Sequence, residues 1–222
     1  SLAHNGYGER QCFFPSNNLH IGALMRALMS NLEYWVAGKG KPVDSIYPKI
    51  YDETLVEAKS MFLPSLVKQN FRGALNGSGD MEFGPRVKFN RGLVDLLIPE
   101  VIANHKVLVP AVDQFGHDIA GIRHPHIEVP MGTHLGWNIR TTEFGGGDLC
   151  DENGSFIPLS IDDSAAGAAN DSRPSLLATY SDYQTYVEKI NEATAALVSQ
   201  KLLLPKDAAI LIEQVEQNML MH

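Results

Sequence analysis

Eight histidines carry most of the proton chemistry this chain can offer near neutral pH: His4, His20, His105, His117, His124, His126, His134 and His222. His124-Pro125-His126 sets two imidazoles two residues apart, and on an extended strand that spacing places both on one face. With His117 or His134 added they would form a set of nitrogen ligands for a metal. No acidic ligand pattern and no zinc-type spacing accompanies them, so the expectation is loop and edge-strand histidines, with no metal and no cofactor. His4, in Ala3-His4-Asn5-Gly6, reads on its own as an ordinary loop histidine ahead of a helix.

Nucleophiles are harder to find. An α/β-type serine hydrolase needs Gly-x-Ser-x-Gly, because only a sharp strand-to-helix turn exposes the Oγ. No such stretch occurs: Ser78 lacks the spacing and Ser155 lacks the second glycine. Cys12 has only Arg10 as a basic neighbour, so no thiolate is favoured there. Gly145-Gly146-Gly147-Asp148 lacks the lysine and the strand-to-helix setting of a phosphate loop and reads as a plain loop. Cys12 and Cys150 are either two separate thiols or one disulfide, and two cysteines do not fix the compartment.

The elements that must position these groups centre on Val107–Arg140. A strand at Val107–Val109 meets Pro110, and Asp113-Gln114-Phe115-Gly116 makes a tight turn. Two β-prone pieces follow, Ile119–Ile122 and Ile127–Val129. Gly132–Asn138 is too glycine-rich for a regular element and reads as an irregular loop bearing His134 and Trp137. Loops of that kind, held by a sheet, often face a site. His134 and Trp137 are therefore candidates for the wall of a substrate cleft, with Trp137 equally suited to plugging the core beneath.

Ahead of this stretch, Asn17 or Asn18 caps a helix whose apolar face is Ile21, Leu24, Met25, Leu28, Leu32 and Trp35; Gly38–Pro42 stops it. Residues 43–106 are weakly patterned, with β-like pieces at Ser45–Ile50, Thr54–Glu57 and Val87–Phe89 and a turn at Asn76–Asp80. Residues 43–170 together read as an irregular, β-rich insertion, and Ser164–Asp171 as a surface loop. A long helix is expected from Asp171-Ser172-Arg173-Pro174, burying Leu176, Tyr180, Tyr183, Val187, Ile190, Ala193 and Leu197. A last helix over 206–219 turns Ala209, Ile212, Val215 and Met219 inward.

The 222 residues are 44% hydrophobic, enough for a sizeable core, and the net charge of −8 argues against a general nucleic-acid binder. No apolar run has the length of a membrane span. The chain opens on Ser1 with no basic or apolar leader, which suggests a trimmed start.

Several of these stretches, in this order, resemble a known family. They are Ala3-His4-Asn5-Gly6, Met25-Arg26-Ala27-Leu28 with Trp35-Val36, Val109-Pro110-Ala111-Val112-Asp113, and Ala120-Gly121-Ile122-Arg123. Val129-Pro130, Gly132-Thr133 and Gly136-Trp137-Asn138-Ile139-Arg140 follow. Gly154–Pro158, Asp171–Leu176 and Leu202–Asp207 complete the set. The sequence is similar to the large α/β-hydrolase-domain family of uncharacterised, secreted, esterase-like bacterial proteins, most densely in its C-terminal half. The resemblance implies an α/β fold in which residues 1–222 form the C-terminal portion of one α/β-hydrolase domain, with a β-hairpin and loop insertion and C-terminal helices. It implies carboxylic-ester hydrolysis by a Ser-His-acid triad, with His4 as the base that takes the serine proton and later protonates the leaving group. Serine, oxyanion hole and acid would lie on an N-terminal polypeptide of the same precursor, upstream of Ser1. The substrate would be a small ester and the location secreted or periplasmic. His124 and His134 stand where the family leads one to expect apolar or aromatic residues.

A portion of such a domain leaves apolar faces uncovered, so the chain should not fold well alone. The rival from another class is a non-catalytic binding or structural module presenting Gly132–Gly136. A weaker rival is a metal-binding protein built on His117, His124, His126 and His134.

Overall fold

The computed structural model describes residues 11–58, 64–65, 79–83, 99–150 and 154–219. Helix α1 covers Gly22–Val36. Six short strands follow: β1 (Leu55–Glu57), β2 (Gly79–Glu82), β3 (Glu100–Asn104), β4 (Leu108–Pro110), β5 (Gly132–Leu135) and β6 (Ser155–Pro158). A helical turn, α2 (Pro125–Glu128), precedes β5. The C-terminal part is helical: α3 (Asp163–Ala169), α4 (Leu176–Thr179), α5 (Tyr183–Ser199) and α6 (Pro205–Met219).

The strands pair as β1–β4, β2–β3 and β5–β6, all antiparallel. Among the described residues there is no parallel pair. Residues 43–170 hold all six strands described, and the helical layer packs beyond them.

The core is helical. Asp182 caps α5 by accepting the Thr185 N–H, and the helix turns Tyr186, Val187, Ile190, Thr194 and Leu197 inward. Tyr186, Val187 and Ile190 join Val129, Tyr180, Leu211 and Val215 in one cluster. Helix α5 ends with Lys201 at φ 61° and the Leu202 N–H on the Leu197 carbonyl. This is a Schellman-type end. Leu197 and Leu202 then share a second cluster with Leu24, Leu203 and Ala208, which seats α1. Arg26 of α1 fixes that contact by donating twice from Nε and once from Nη2 to the Asp207 carboxylate, at 2.8–3.2 Å.

The β5–β6 hairpin is tied to both ends of the chain. Arg173 is buried, paired with Asp171 at 2.7 Å, and donates to Thr133 Oγ1, Ile157 O and Pro158 O. On the other side Asn138 exchanges bonds with the backbone of Phe14, and a disulfide joins Cys12 to Cys150 with a Cα–Cα distance of 5.6 Å. Of the two alternatives open for the cysteines, the structure takes the bridge.

Several expected elements differ. Ile119–Ile122 is not a strand, because the Asp113 carboxylate accepts the Phe115 and His117 N–H groups and curls the chain. Arg123 then holds the curl by donating to Asp113, the Asp118 carbonyl and the Ile127 carbonyl. Ile127–Val129 is not a strand either. His124 Nδ1 accepts the His126 N–H and Pro125 opens a helical turn, so the two imidazoles do not share a strand face. Gly132–Leu135 is a strand rather than a loop. A Cβ on Gly132 would lie 2.5 Å from the Phe156 ring, so this glycine permits close strand pairing.

The expected long helix from Asp171 is two helices, since Ser175 and Asp182 each cap a new start and Arg173 is drawn inward. Ser164–Asp171 is mostly helix α3, capped by Asp162. Helix α1 begins at Gly22 with no side-chain cap, because Asn17 accepts from Leu19 instead. Ser45–Ile50 forms no strand. Val87–Phe89 and most of the Asn76–Asp80 turn lie outside the described residues, as does His4.

Candidate functional site

A cleft of about 890 Å³ opens where six parts of the chain meet. The segment before α1 contributes Leu19, His20 and Ile21, and α1 itself contributes Arg26. His124 and His126 come from α2 and its cap, His134 and Phe156 from the β5–β6 hairpin, Tyr183 and Tyr186 from α5, and Asp207, Ile210 and Leu211 from α6.

The histidines are oriented from behind. Asp113 turns the chain so that His117 Nε2 accepts the His134 N–H at 2.9 Å. The His117 and His134 rings stack at 5.9 Å, and His134 rests on Phe156 at 4.7 Å. His134 Nδ1 lies 3.1 Å from Asn17 Oδ1, which also accepts the Leu19 N–H, while the Asn17 amide nitrogen donates to Leu135 O. An oxygen that accepts from Leu19 meets Nδ1 favourably only if Nδ1 carries the proton. The neutral His134 ring therefore has its lone pair on Nε2. His124 is the opposite tautomer: Nδ1 accepts the His126 N–H at 3.2 Å, which leaves the proton on Nε2. His126 Nδ1 sits 3.4 Å from the Tyr186 hydroxyl.

Burial keeps these rings uncharged. It pushes His117, His124 and His134 down to about 4, assisted at His124 and His134 by neighbouring imidazoles. For His117 the nearby Arg123 and Arg173 also lower it, while Asp113 opposes. His126 is lowered and Tyr186 raised by the same loss of solvent. The charges on the wall are Arg26 and Asp207, which are bonded to each other. That bond holds the Asp207 carboxyl below its usual range. Among the described residues no three His, Cys, Asp or Glu side chains converge in a way that could hold a metal ion, so the metal-binding rival gains no support.

The residues singled out in the sequence are divided by the fold. His134 lies on the cleft wall. Trp137 is half-buried and, like Phe14, packs against the cluster of Leu135 and Ile157; the described cleft wall does not include it. Ser155 is buried and donates to the Trp137 carbonyl, which makes it a structural hydroxyl. Sequence reasoning missed Asn17 as the partner of His134 and Tyr186 as the partner of His126. Their pairings join positions 117 and 60 residues apart, and no local pattern announces them.

The alpha/beta hydrolase domain family matches residues 2–213. The chain belongs to this family. Membership brings the α/β class, which the mixed helices and strands fit, and hydrolase-type chemistry. No curated protein and no solved structure matches the chain. In this α/β-hydrolase chain the described cleft holds oriented, neutral imidazoles and aromatic walls and, among its lining residues, no serine or cysteine.

Proposed function

We propose that the chain is part of a carboxylic-ester hydrolase acting through a Ser-His-acid triad. It supplies His4 as the base and a wall of the substrate cleft. The serine, its oxyanion hole and the acid come from an N-terminal polypeptide of the same precursor. That polypeptide carries the parallel sheet and docks on α1.

The observation that carries this reading is the outer face of α1. Met25, Met29, Leu32, Trp35 and Val36 all stand exposed, with Met29 60% and Val36 77% accessible. Contiguous apolar surface of this kind marks an interaction site. In an α/β-hydrolase, helices of this kind cover a parallel sheet, and none is present among the described strands. The sequence also contains no Gly-x-Ser-x-Gly, so a family member of this composition needs its nucleophile from elsewhere. The Cys12–Cys150 disulfide supports a secreted or periplasmic location, where such bridges persist.

In the reaction, the serine Oγ attacks the ester carbonyl as His4 takes its proton. The alcohol leaves with that proton from His4, and water hydrolyses the acyl-serine by the same route. His134 stands on the wall of the cleft that would receive the small ester, and Trp137, packed against Leu135 and Ile157, supports the hairpin from outside that wall. The test is cleavage of a small aryl ester by the purified protein. His4→Ala should lower kcat/KM by about 10³-fold or more. Unchanged cleavage in that variant would overturn the role of His4.

A further inference from the structure

We propose that the cleft binds an uncharged, partly apolar alcohol, whose hydroxyl hydrogen is donated to His134 Nε2 and whose oxygen lone pairs are offered to His124 Nε2–H. The argument starts from the two tautomers. The Asn17 bond puts the proton of His134 on Nδ1 and leaves Nε2 as an acceptor. The bond from the His126 N–H occupies His124 Nδ1 and leaves Nε2–H as a donor. Both rings line the same cleft, and among the described residues neither Nε2 has a hydrogen-bond partner. A half-buried site with one unmatched acceptor and one unmatched donor favours a ligand that carries both functions. A hydroxyl does so, whereas a simple ester or ketone offers acceptors alone and leaves His134 Nε2 unmatched.

Charge narrows the choice further. The imidazoles on the wall that are drawn out of solvent are neutral at pH 7. Arg26 and Asp207 cancel through their bidentate pair. Neither a carboxylate nor an ammonium therefore finds a countercharge, and each would be desolvated for no return. Met131, Phe156, Ile210 and Leu211 supply apolar and aromatic surface against which a hydrocarbon body would pack.

The binding is independent of turnover, so it can be tested whether or not ester hydrolysis stands. The protein, as purified and with histidine labelled with nitrogen-15, would be examined by long-range proton–nitrogen NMR near pH 7.5. The expected spectrum shows His134 protonated on Nδ1 and His124 on Nε2. Benzyl alcohol should shift both signals saturably, at least about tenfold more tightly than toluene, benzoate or benzylamine. His134→Phe keeps the apolar wall and should reduce benzyl alcohol to the affinity of toluene. The tautomers and the ligand ranking are read on the unaltered protein, so the test survives a variant that fails to fold. Reversed tautomers overturn the proposal. So does benzoate or toluene binding as tightly as benzyl alcohol, or the absence of saturable shifts. Failure here with His4-dependent ester cleavage intact would remove this site alone and leave the hydrolase reading standing.

Discussion

Helices α1 and α5 are near equals, 15 and 17 residues long, and both carry an apolar stripe at helical spacing. Their fates differ. The stripe of α5 is covered by α2, α6 and the segment after β6, and Ile190 at its middle is 1% exposed. The inner face of α1 is covered at Leu24 and Ala27 and in part at Ala23 and Leu28, while Met25, Met29, Leu32 and Trp35 face outward. A shortage of apolar residues is not the cause, since α1 is the more apolar of the two helices. What differs is the supply of neighbours. Helix α5 finds its partners within this chain, and on our account α1 finds the rest of its partners on another polypeptide.

The difference can be broken at chosen points, beginning where the effect is largest. Arg173→Ala removes one half of an ion pair whose side chains are both buried, and it strips donors from Thr133, Ile157 and Pro158. We expect a loss of about 3–5 kcal/mol in urea unfolding, because Asp171 is left charged and buried. Ile190→Ala opens a cavity under the covered stripe and should cost about 2–5 kcal/mol in the same experiment. Met29→Glu, on the open stripe of α1, should change the unfolding of this chain by less than about 0.5 kcal/mol. It should nevertheless weaken association with the second polypeptide by at least about tenfold, read by sedimentation, because a charge would then be buried at the interface. Equal effects of Met29→Glu and Ile190→Ala on the chain itself would abolish the distinction between the two helices.

Acid should act first on the histidine cluster. The folded values of His117, His124 and His134 lie near 4, below the ordinary 6.5. The unfolded chain therefore binds more protons between those limits. Stability is complete above about pH 6.5 and drains as the pH falls toward 4, by up to about 1.4 kcal/mol per pH unit for each ring that titrates. Urea midpoints should be flat from pH 7 to 8 and fall steadily below 6.5. The Asp171 and Asp207 carboxyls are held low by their arginines, so their loss follows at more acid pH. A midpoint insensitive to pH between 6.5 and 4 would mean the imidazoles are not buried neutral.

Much of the helical layer was legible in the sequence because its signals are local. The 3.6-residue spacing of Tyr183, Val187 and Ile190 and the stop before Pro205 mark α5 and α6, although α6 buries Ala208 and Leu211 beside Val215 where the spacing points to Ala209 and Ile212. The hairpin and the cleft were less legible because their causes are distant. Gly132 reads as a loop residue until Phe156 is laid across it. Asn17 reads as a helix cap until His134 and Leu135 are brought beside it. The strand expected at Ile127–Val129 was displaced by a histidine acting as a cap, a role for which Ser, Asp and Asn are the usual signals.

The central claim is that the nucleophile of this hydrolase lies on a second polypeptide and depends on His4. Labelling the native purified protein with a serine-directed fluorophosphonate, followed by intact mass and N-terminal sequencing of each polypeptide, tests it most directly. The account predicts one adduct on a separate chain bearing Gly-x-Ser-x-Gly, and its loss in His4→Ala. An adduct on a serine of this chain, or no adduct on any polypeptide, would contradict it.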